Sequence, residues 1–355
     1  MRIVRADTNR LKKEYIAFNR SLYADNDNFK GDSIFMLKDF LYEKSAFTRR
    51  VKPYPIMVDD DGIKATAVLV IADDTCFVSF LEFAPYQRYL SVMIDEAENL
   101  ARKNGARKII IGINGHVSYG AGILTEGFEH PQIFGCNYNH SYYPEIIEKM
   151  RFRRKELTSY QSDFSKIVLR DEIVKDVQNK FTFRKLDKSR YKRDILIFGD
   201  LCNKCLIGTA NYYEKTAHEM YELVRDMKFL LKPDDLTFAL KDGKEIGFLF
   251  IHPDYNELVK GGIFNPVSVF LRYLGCRGRT NKVIFNTMGI LPEYRREKVM
   301  IGLFANTNKY MMANFKIGVT TFIQAENTAS DTLSKTLSTG VYSKYCIYEK
   351  DLFNA

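Results

Sequence analysis

The run Met288-Gly-Ile-Leu-Pro-Glu-Tyr-Arg-Arg-Glu-Lys-Val-Met-Ile-Gly-Leu303 joins the end of an apolar strand to a basic turn and then to a helical pattern. Backbone N–H groups at the start of a helix point into one small volume, and the helix dipole favours negative charge there. The chemistry on offer is phosphate binding. Its candidates are Ile290, Arg295, Arg296, Glu297, Lys298, Val299 and Met300. The turn from Arg295 to Met300 contains no glycine, so no residue without a side chain opens the way for close approach. Two readings stay open. In one, Lys298 and Met300 point outward while their amides point in. In the other, Met300 fills the groove and the turn only starts a helix.

A second unusual stretch runs from Gly112 to His140. Its six glycines, at 112, 115, 120, 122, 127 and 135, lie among His116, His130, His140, Tyr119 and Glu126. A loop this long inside a compact domain is usually functional or disordered, and its spread of glycine and aromatic residues argues against disorder. The histidines are 14 and 10 residues apart, which is no metal-ligand spacing, and no metal is expected. Cys202-Asn-Lys-Cys205 has the spacing of half a zinc site without a matching pair. The six cysteines are scattered, so no disulfide framework is expected.

The chain has 355 residues, enough for two ordinary domains, and 46% are apolar, enough for a sizeable core. The formal charge is +9 with no long basic run, which suits anionic partners without defining a nucleic-acid stripe. The N-terminus has no apolar signal core and no stretch approaches 18 apolar residues, so a cytoplasmic protein without membrane contact is expected.

Periodicity places helices at residues 11–23, 33–42 and 87–103 and strands at 54–58, 65–72, 76–83 and 108–112. The second half repeats the order. Helices are expected at 192–206, 215–229, 296–314 and 329–337, and strands at 236–241, 245–250, 282–288, 317–324 and 342–350. Domains are expected over 1–164 and 180–355, with a polar linker at 165–179.

In the frame Pro292, Tyr294, Arg295, and in Gln324-Ala-Glu-Asn327 before a helix, the second half resembles the GNAT acyltransferases. Leu22-Tyr-Ala-Asp-Asn-Asp27, Gly120-Ala-Gly-Ile-Leu-Thr-Glu-Gly-Phe128 and Asn137-Tyr-Asn-His-Ser-Tyr-Tyr143 are similar to segments of uncharacterised tandem GNAT-like bacterial proteins. The resemblance implies an α/β fold of two tandem GNAT-like (acyl-CoA N-acyltransferase) domains. Each would have a mixed, mostly antiparallel central sheet flanked by helices. It also implies acetyl-CoA or another acyl-CoA as cosubstrate in the second domain. There Lys298 and Met300 replace the two motif glycines, and Asn327 joins the cofactor residues.

The first domain, whose equivalent turn holds one arginine, Arg88, would be a scaffold without cofactor. The resemblance implies transfer to an amine held between the halves and a tyrosine acid on the last helix, where Ser334 stands instead. Glu326, ending the strand before that helix, is the candidate base, and Tyr342 or Tyr345, just beyond the helix, the candidate acid for the departing thiolate. Glu326 also fits a cap of the next helix, and the two tyrosines fit ordinary strand packing. The acceptor side would draw on His116, Tyr119, Glu126, Tyr143, His252 and Asp254. The 112–140 segment equally suits a structural flap over the first domain's groove. Two alternatives accompany this reading. One is a non-catalytic binding protein on a decayed GNAT fold. The other is an aminoacyl-tRNA-dependent transferase, the one case in which a nucleic acid, tRNA, would be the partner.

Overall fold

The computed structural model describes residues 1–166, 169–275 and 279–353. Residues 167–168, inside the expected linker, and Cys276 lie outside that set. In chain order the first half comprises β1 (Arg2–Arg5), α1 (Asn9–Leu22), α2 (Asp32–Leu41), α3 (Ala46–Val51), β2 (Tyr54–Asp59), β3 (Ile63–Ala72), β4 (Thr75–Phe83), α4 (Gln87–Lys103), β5 (Lys108–Ile111), β6 (Ile123–Glu126), α5 (Tyr142–Glu148) and β7 (Arg153–Asp163). The second comprises α6 (Asp171–Lys180), β8 (Thr182–Lys185), α7 (Tyr191–Leu206), α8 (Ala217–Val224), β9 (Leu236–Lys241), β10 (Lys244–Pro253), α9 (Pro266–Gly275), β11 (Lys282–Ile290), α10 (Val299–Asn314), β12 (Ile317–Thr320), β13 (Ile323–Gln324), α11 (Thr328–Leu337) and β14 (Gly340–Asp351).

Local chemistry accounts for many of these boundaries. Thr8 caps α1 by accepting from the Leu11 amide at 3.3 Å. α4 ends at Asn104, and Gly105 follows with φ +73°, a left-handed exit from a helix. Asp242 and Gly243 both have positive φ, as a two-residue hairpin between β9 and β10 requires. The expected strand 317–324 is interrupted. It breaks after Thr320, because the Thr321 amide and hydroxyl turn to the carbonyls of Phe285 and Asn286.

The 14 strands among the described residues belong to one mixed sheet. Its order is β1-β2-β3-β4-β5-β14-β7-β12-β11-β10-β9-β8, with β13 on β7 and β6 on β14. Most neighbours are antiparallel, while β4 with β5 and β11 with β12 are parallel. The two final strands are exchanged between the halves. β14 of the second half pairs with β5 of the first (Tyr348 opposite Ile111), and β7 of the first half pairs with β12 of the second (Val319 opposite Gln161). They also pair with each other along their length, from Gly340–Gln161 to Glu349–Arg153. The middle of the sheet is therefore common to both halves.

Helices cover both faces. In the first half α4 and α5 bury Tyr89, Leu90, Met93 and Ile147 on one side. α1 to α3 and the 112–140 segment close the other with Tyr15, Phe40, Phe47 and Tyr119. In the second half α6 and α10 pack with Val177, Leu303 and Phe304, and α7 and α8 with Phe198, Cys202 and Met220. Among the described residues no helix is long and apolar enough to cross a membrane.

Candidate functional site

Each half contains one pair of parallel strands that pair at one end and then diverge. In the second half β11 and β12 are in register from Lys282–Ile317 to Phe285–Thr320 and part beyond it. The parting is built into β11, since Asn286 is an extra residue opposite the Phe250–Ile251 step of β10, a bulge that bends the strand. In the first half β4 and β5 pair from Thr75–Lys108 to Val78–Ile111. β4 is likewise irregular past Ser79, with Phe80 at φ +49°.

The two splits are filled differently. Side chains of the 112–140 segment occupy the first. Asn114 accepts from the Phe80 amide at 2.7 Å and donates to the Tyr119 carbonyl at 3.1 Å. Ser79 donates to the Ile113 carbonyl. All six glycines of the segment have positive φ, which folds it tightly, and a Cβ on Gly120 would strike the Asn137 carboxamide. About 40 Å³ of space is left there.

The second split opens on a cavity of about 310 Å³. Strand residues Phe285 to Met288 and 320–324 form one wall, with Asn327, Ser330 and Ser334 beside them. α7, α8 and the chain between them form another through Phe198, Cys202, Leu206, Lys215 and Met220. Val117, Ser118, Phe134 and Gly135 close it from the first half. No Asp or Glu is among the described lining residues.

Beside this split, β11 runs through Leu291 and a short turn of 3₁₀ helix into α10. Lys298, which occupies the first motif-glycine position, is left-handed at φ 57° and ψ 20°. The backbone thus has the conformation glycine favours, although a lysine supplies it at a cost of roughly 1–2 kcal/mol. Among the described residues the amides of Arg296, Lys298, Val299 and Met300 have no hydrogen-bond acceptor. Val299 is buried, and half-buried Met300 packs against the core under α10 without lining the cavity. Arg295 is committed elsewhere. Its guanidinium donates to the carbonyls of Cys205, at 2.9 Å, and Ile290, at 3.3 Å, and so ties the turn to α7. Arg296, Glu297 and Lys298 are exposed.

Of the other sequence candidates, His252 and Asn327 line the cavity. His252 Nδ1 lies 2.8 Å from the Pro253 carbonyl, which can only accept, so Nδ1 carries the proton. Nε2 faces the Asn286 carboxamide nitrogen at 3.3 Å. Burial pushes the His252 pKa down to about 4, and the ring is neutral. Asn327 caps α11 through the Ser330 amide. Asp254 is buried behind the wall, accepting from the amides of Phe134 and Asn256, with Lys282 at 3.7 Å. His116 is buried next to the lining residue Val117 and stacked on Tyr213 at 4.9 Å, and its Nε2 has no partner. Its pKa is lowered by burial first, and then by the nearby cations Lys215 and Arg50.

The remaining candidates sit elsewhere. Tyr119 donates to Asp39 and accepts from the Ser45 hydroxyl in the first half's core. Tyr143 donates to Glu82 at 2.6 Å, and Glu126 pairs with Lys344 at the surface. Glu326 is exposed, 3.9 Å from Lys155. Tyr342 donates to the Pro131 carbonyl and stacks on His130, while Tyr345 is buried on β14 near Cys136. None of these six lines the cavity.

Sequence reading missed Lys215, Asn286 and Gln324 as lining residues. The only local signal was at Asn286, a polar residue in the apolar strand 282–290. Cys202 and Cys205 are buried one turn apart on α7, and among the described residues no cluster of three metal-binding side chains exists.

No family model matches this chain. It is 21% identical to Protein YghO of Escherichia coli over 363 aligned positions, covering 96% of this chain and 93% of that protein. Among solved structures it is similar to a tandem GNAT protein from the clavulanic acid biosynthesis pathway. The TM-score is 0.58 at 10% identity, over 100% of this chain and 99% of the other. It is also similar to a GCN5-related glucosamine N-acetyltransferase region of a fungal multi-domain β-N-acetylglucosaminidase, with TM-score 0.61 at 12% identity over 98% of this chain and 38% of that one. A probable N-acyltransferase of Enterococcus faecalis gives a TM-score of 0.54 at 8% identity, over 99% and 72%. With two splayed parallel strand pairs in its sheet and these neighbours, the chain has the tandem GNAT-like fold.

Proposed function

We propose that the protein is an acyl-CoA-dependent N-acyltransferase. The thioester lies in the β11–β12 split, and the amine acceptor lies in the cavity between the halves. The observation that carries this reading is the contrast between the two splits. One is filled by Asn114 and its neighbours, and the other opens on a cavity beside a helix start whose amides are unpaired. The first half is the scaffold in this reading, and its last strand, β7, completes the sheet of the acting half. Two GNAT units, with the last strands exchanged, remain the proposed division of the chain.

The geometry supports the following roles. The amides of Val299 and Met300 would receive the diphosphate of coenzyme A, with Lys298 and Arg296 adding charge. Arg295 holds the turn in place through the carbonyls of Cys205 and Ile290. The edge of β11 that β12 leaves free after Phe285 would bind the pantetheine arm by main-chain hydrogen bonds, as an added strand does. The amine then attacks the thioester carbonyl, a C–N bond forms, the C–S bond breaks and the thiolate takes up a proton. His252 is neutral and orients the Asn286 carboxamide at the bulge. The described lining holds no carboxylate, so the amine loses its proton to water.

Titration calorimetry with acetyl-CoA tests the reading. Lys298→Glu reverses one exposed charge and is expected to weaken binding roughly tenfold, about 1.4 kcal/mol. Unchanged affinity would discard the site. The absence of a lining carboxylate also favours the second reading, a non-catalytic binding protein on this fold. Acetyl-CoA binding without any turnover of amines would select that one.

A further inference from the structure

One cation in the cavity has no ion-pair partner among the described residues. Lys215 lies on the chain between α7 and α8 and is 94% buried, with a relative exposure of 6%. Asn203 on α7 fixes its backbone from both sides. The Asn203 carboxamide donates to the Lys215 carbonyl at 2.8 Å and accepts from its amide at 3.2 Å. Tyr212 donates to the same carboxamide oxygen and lays its ring 4.7 Å from the ammonium. The ammonium itself reaches only the Tyr213 carbonyl, at 3.4 Å, and forms no ion pair among the described residues.

The nearest carboxylate by charge, Glu219, is already engaged. It accepts from Thr216 and from the Tyr213 hydroxyl, and it pairs with Arg50. A buried ammonium without an anion is costly, and burial lowers the Lys215 pKa accordingly, against weaker pulls from Cys202 and Glu219. The walls around it are apolar, formed by Phe198, Leu206, Met220, Val224 and Phe250.

We propose that this cavity is a binding site for a monocarboxylate with an apolar body, its carboxylate paired with Lys215. A single buried cation matches one negative charge. A phosphate would need several more donors. A neutral apolar ligand would remove the remaining water and leave the ammonium worse off. The volume lies at the lower end of the roughly 300–1,000 Å³ usual for small-molecule sites. Resting on the acyl-transfer reading, the ligand is the acceptor: an apolar amino acid whose amine faces the strand split.

Calorimetry on the full chain without acyl-CoA separates the possibilities. The probes are octanoate, 3-phenylpropanoate, L-leucine and L-phenylalanine, each against its primary amide. At least one carboxylate is expected to bind at least tenfold more tightly than its amide. Lys215→Met should abolish that preference and Lys215→Arg should restore part of it. Lys215→Met removes a buried charge, so an unfolding midpoint at or above that of the wild type shows that it folds. Failure of all four carboxylates to bind at millimolar concentration overturns the proposal, as does equal binding of acids and amides, or an unchanged preference in Lys215→Met. The parallel titration with acetyl-CoA reads the other hypothesis. Carboxylate binding without acetyl-CoA binding removes acyl transfer and keeps this site, and the reverse removes only this site.

Discussion

At the scale of single residues, Lys298 shows how a turn keeps its shape after losing its glycine. Its φ of 57° is the left-handed conformation, and nothing in the lysine side chain requires it. The surrounding anchors impose it: Arg295 clamped to α7 on one side and buried Val299 on the other. Lys298→Gly is therefore expected to raise stability by about 1 kcal/mol by removing the steric cost. Urea unfolding would read that as a higher midpoint at constant m-value. A lower midpoint would show that the lysine makes contacts worth more than the strain. The αL conformation was not legible in the sequence, because the sequence offers no glycine at that position. Lys215 was equally silent: one lysine among 53 basic residues carries no mark of burial.

At the scale of elements, α10 and its neighbours fix where the unpaired amides point. Gly302 is a helix residue, where alanine would ordinarily be better by about 1 kcal/mol. Here a Cβ would run into the Phe183 ring and a Val177 methyl, so α10 lies against α6 and β8 without room for one. Gly302→Val is expected to cost about 1–3 kcal/mol of stability by overpacking. Thermal unfolding would record it as a lower midpoint, and a neutral result would mean that α6 moves aside easily.

Sequence periodicity found most helices and strands flanking the site. It placed the start of α10 at 296 rather than Val299, because the turn residues fit a helical pattern and only the backbone bonds end it. It ran β12 and β13 together, since Thr321 and Phe322 look like strand until Thr321 turns to β11.

At the scale of the whole molecule, the halves share buried acids as well as strands. Glu82 and Asp32 in the first half and Asp235 in the second have pKa values raised, mainly by burial, to about 8, 7 and 7. The ordinary carboxylate pKa is near 4. Between about 4 and these values the folded state holds protons that the unfolded state has released, so stability falls as pH rises through the window. His116 and His252, lowered by burial, act in the opposite sense only below about 6.5. From pH 9 to 7 these carboxyls and the buried thiols of Cys76, Cys202 and Cys205, also pushed up by burial, act in one sense, and acidification is expected to raise the unfolding midpoint. Glu82→Gln keeps an acceptor for both Tyr23 and Tyr143 and should flatten this dependence, with the largest gain over wild type at pH 9. A mutant curve parallel to the wild-type curve would assign the dependence to other groups.

The sequence by itself determined the class of elements and their twice-repeated order. Apolar period, turn residues and helix exits are local properties, although the first half's last helix and strand, α5 and the mostly polar β7, left no such mark. It also marked the basic turn after residue 290 and the glycine-rich segment after 112 as the two places where the backbone does something special. Tertiary structure alone decided which split is open, which lysine is buried and which strand completes which half. β7 is a mostly polar strand and β14 a largely buried one, and neither pattern encodes its partner. Only the packed sheet assigns β14 to β5 and β7 to β12. The cavity that follows belongs to neither half alone, because the residues closing it are brought together by strand exchange and burial rather than by spacing along the chain.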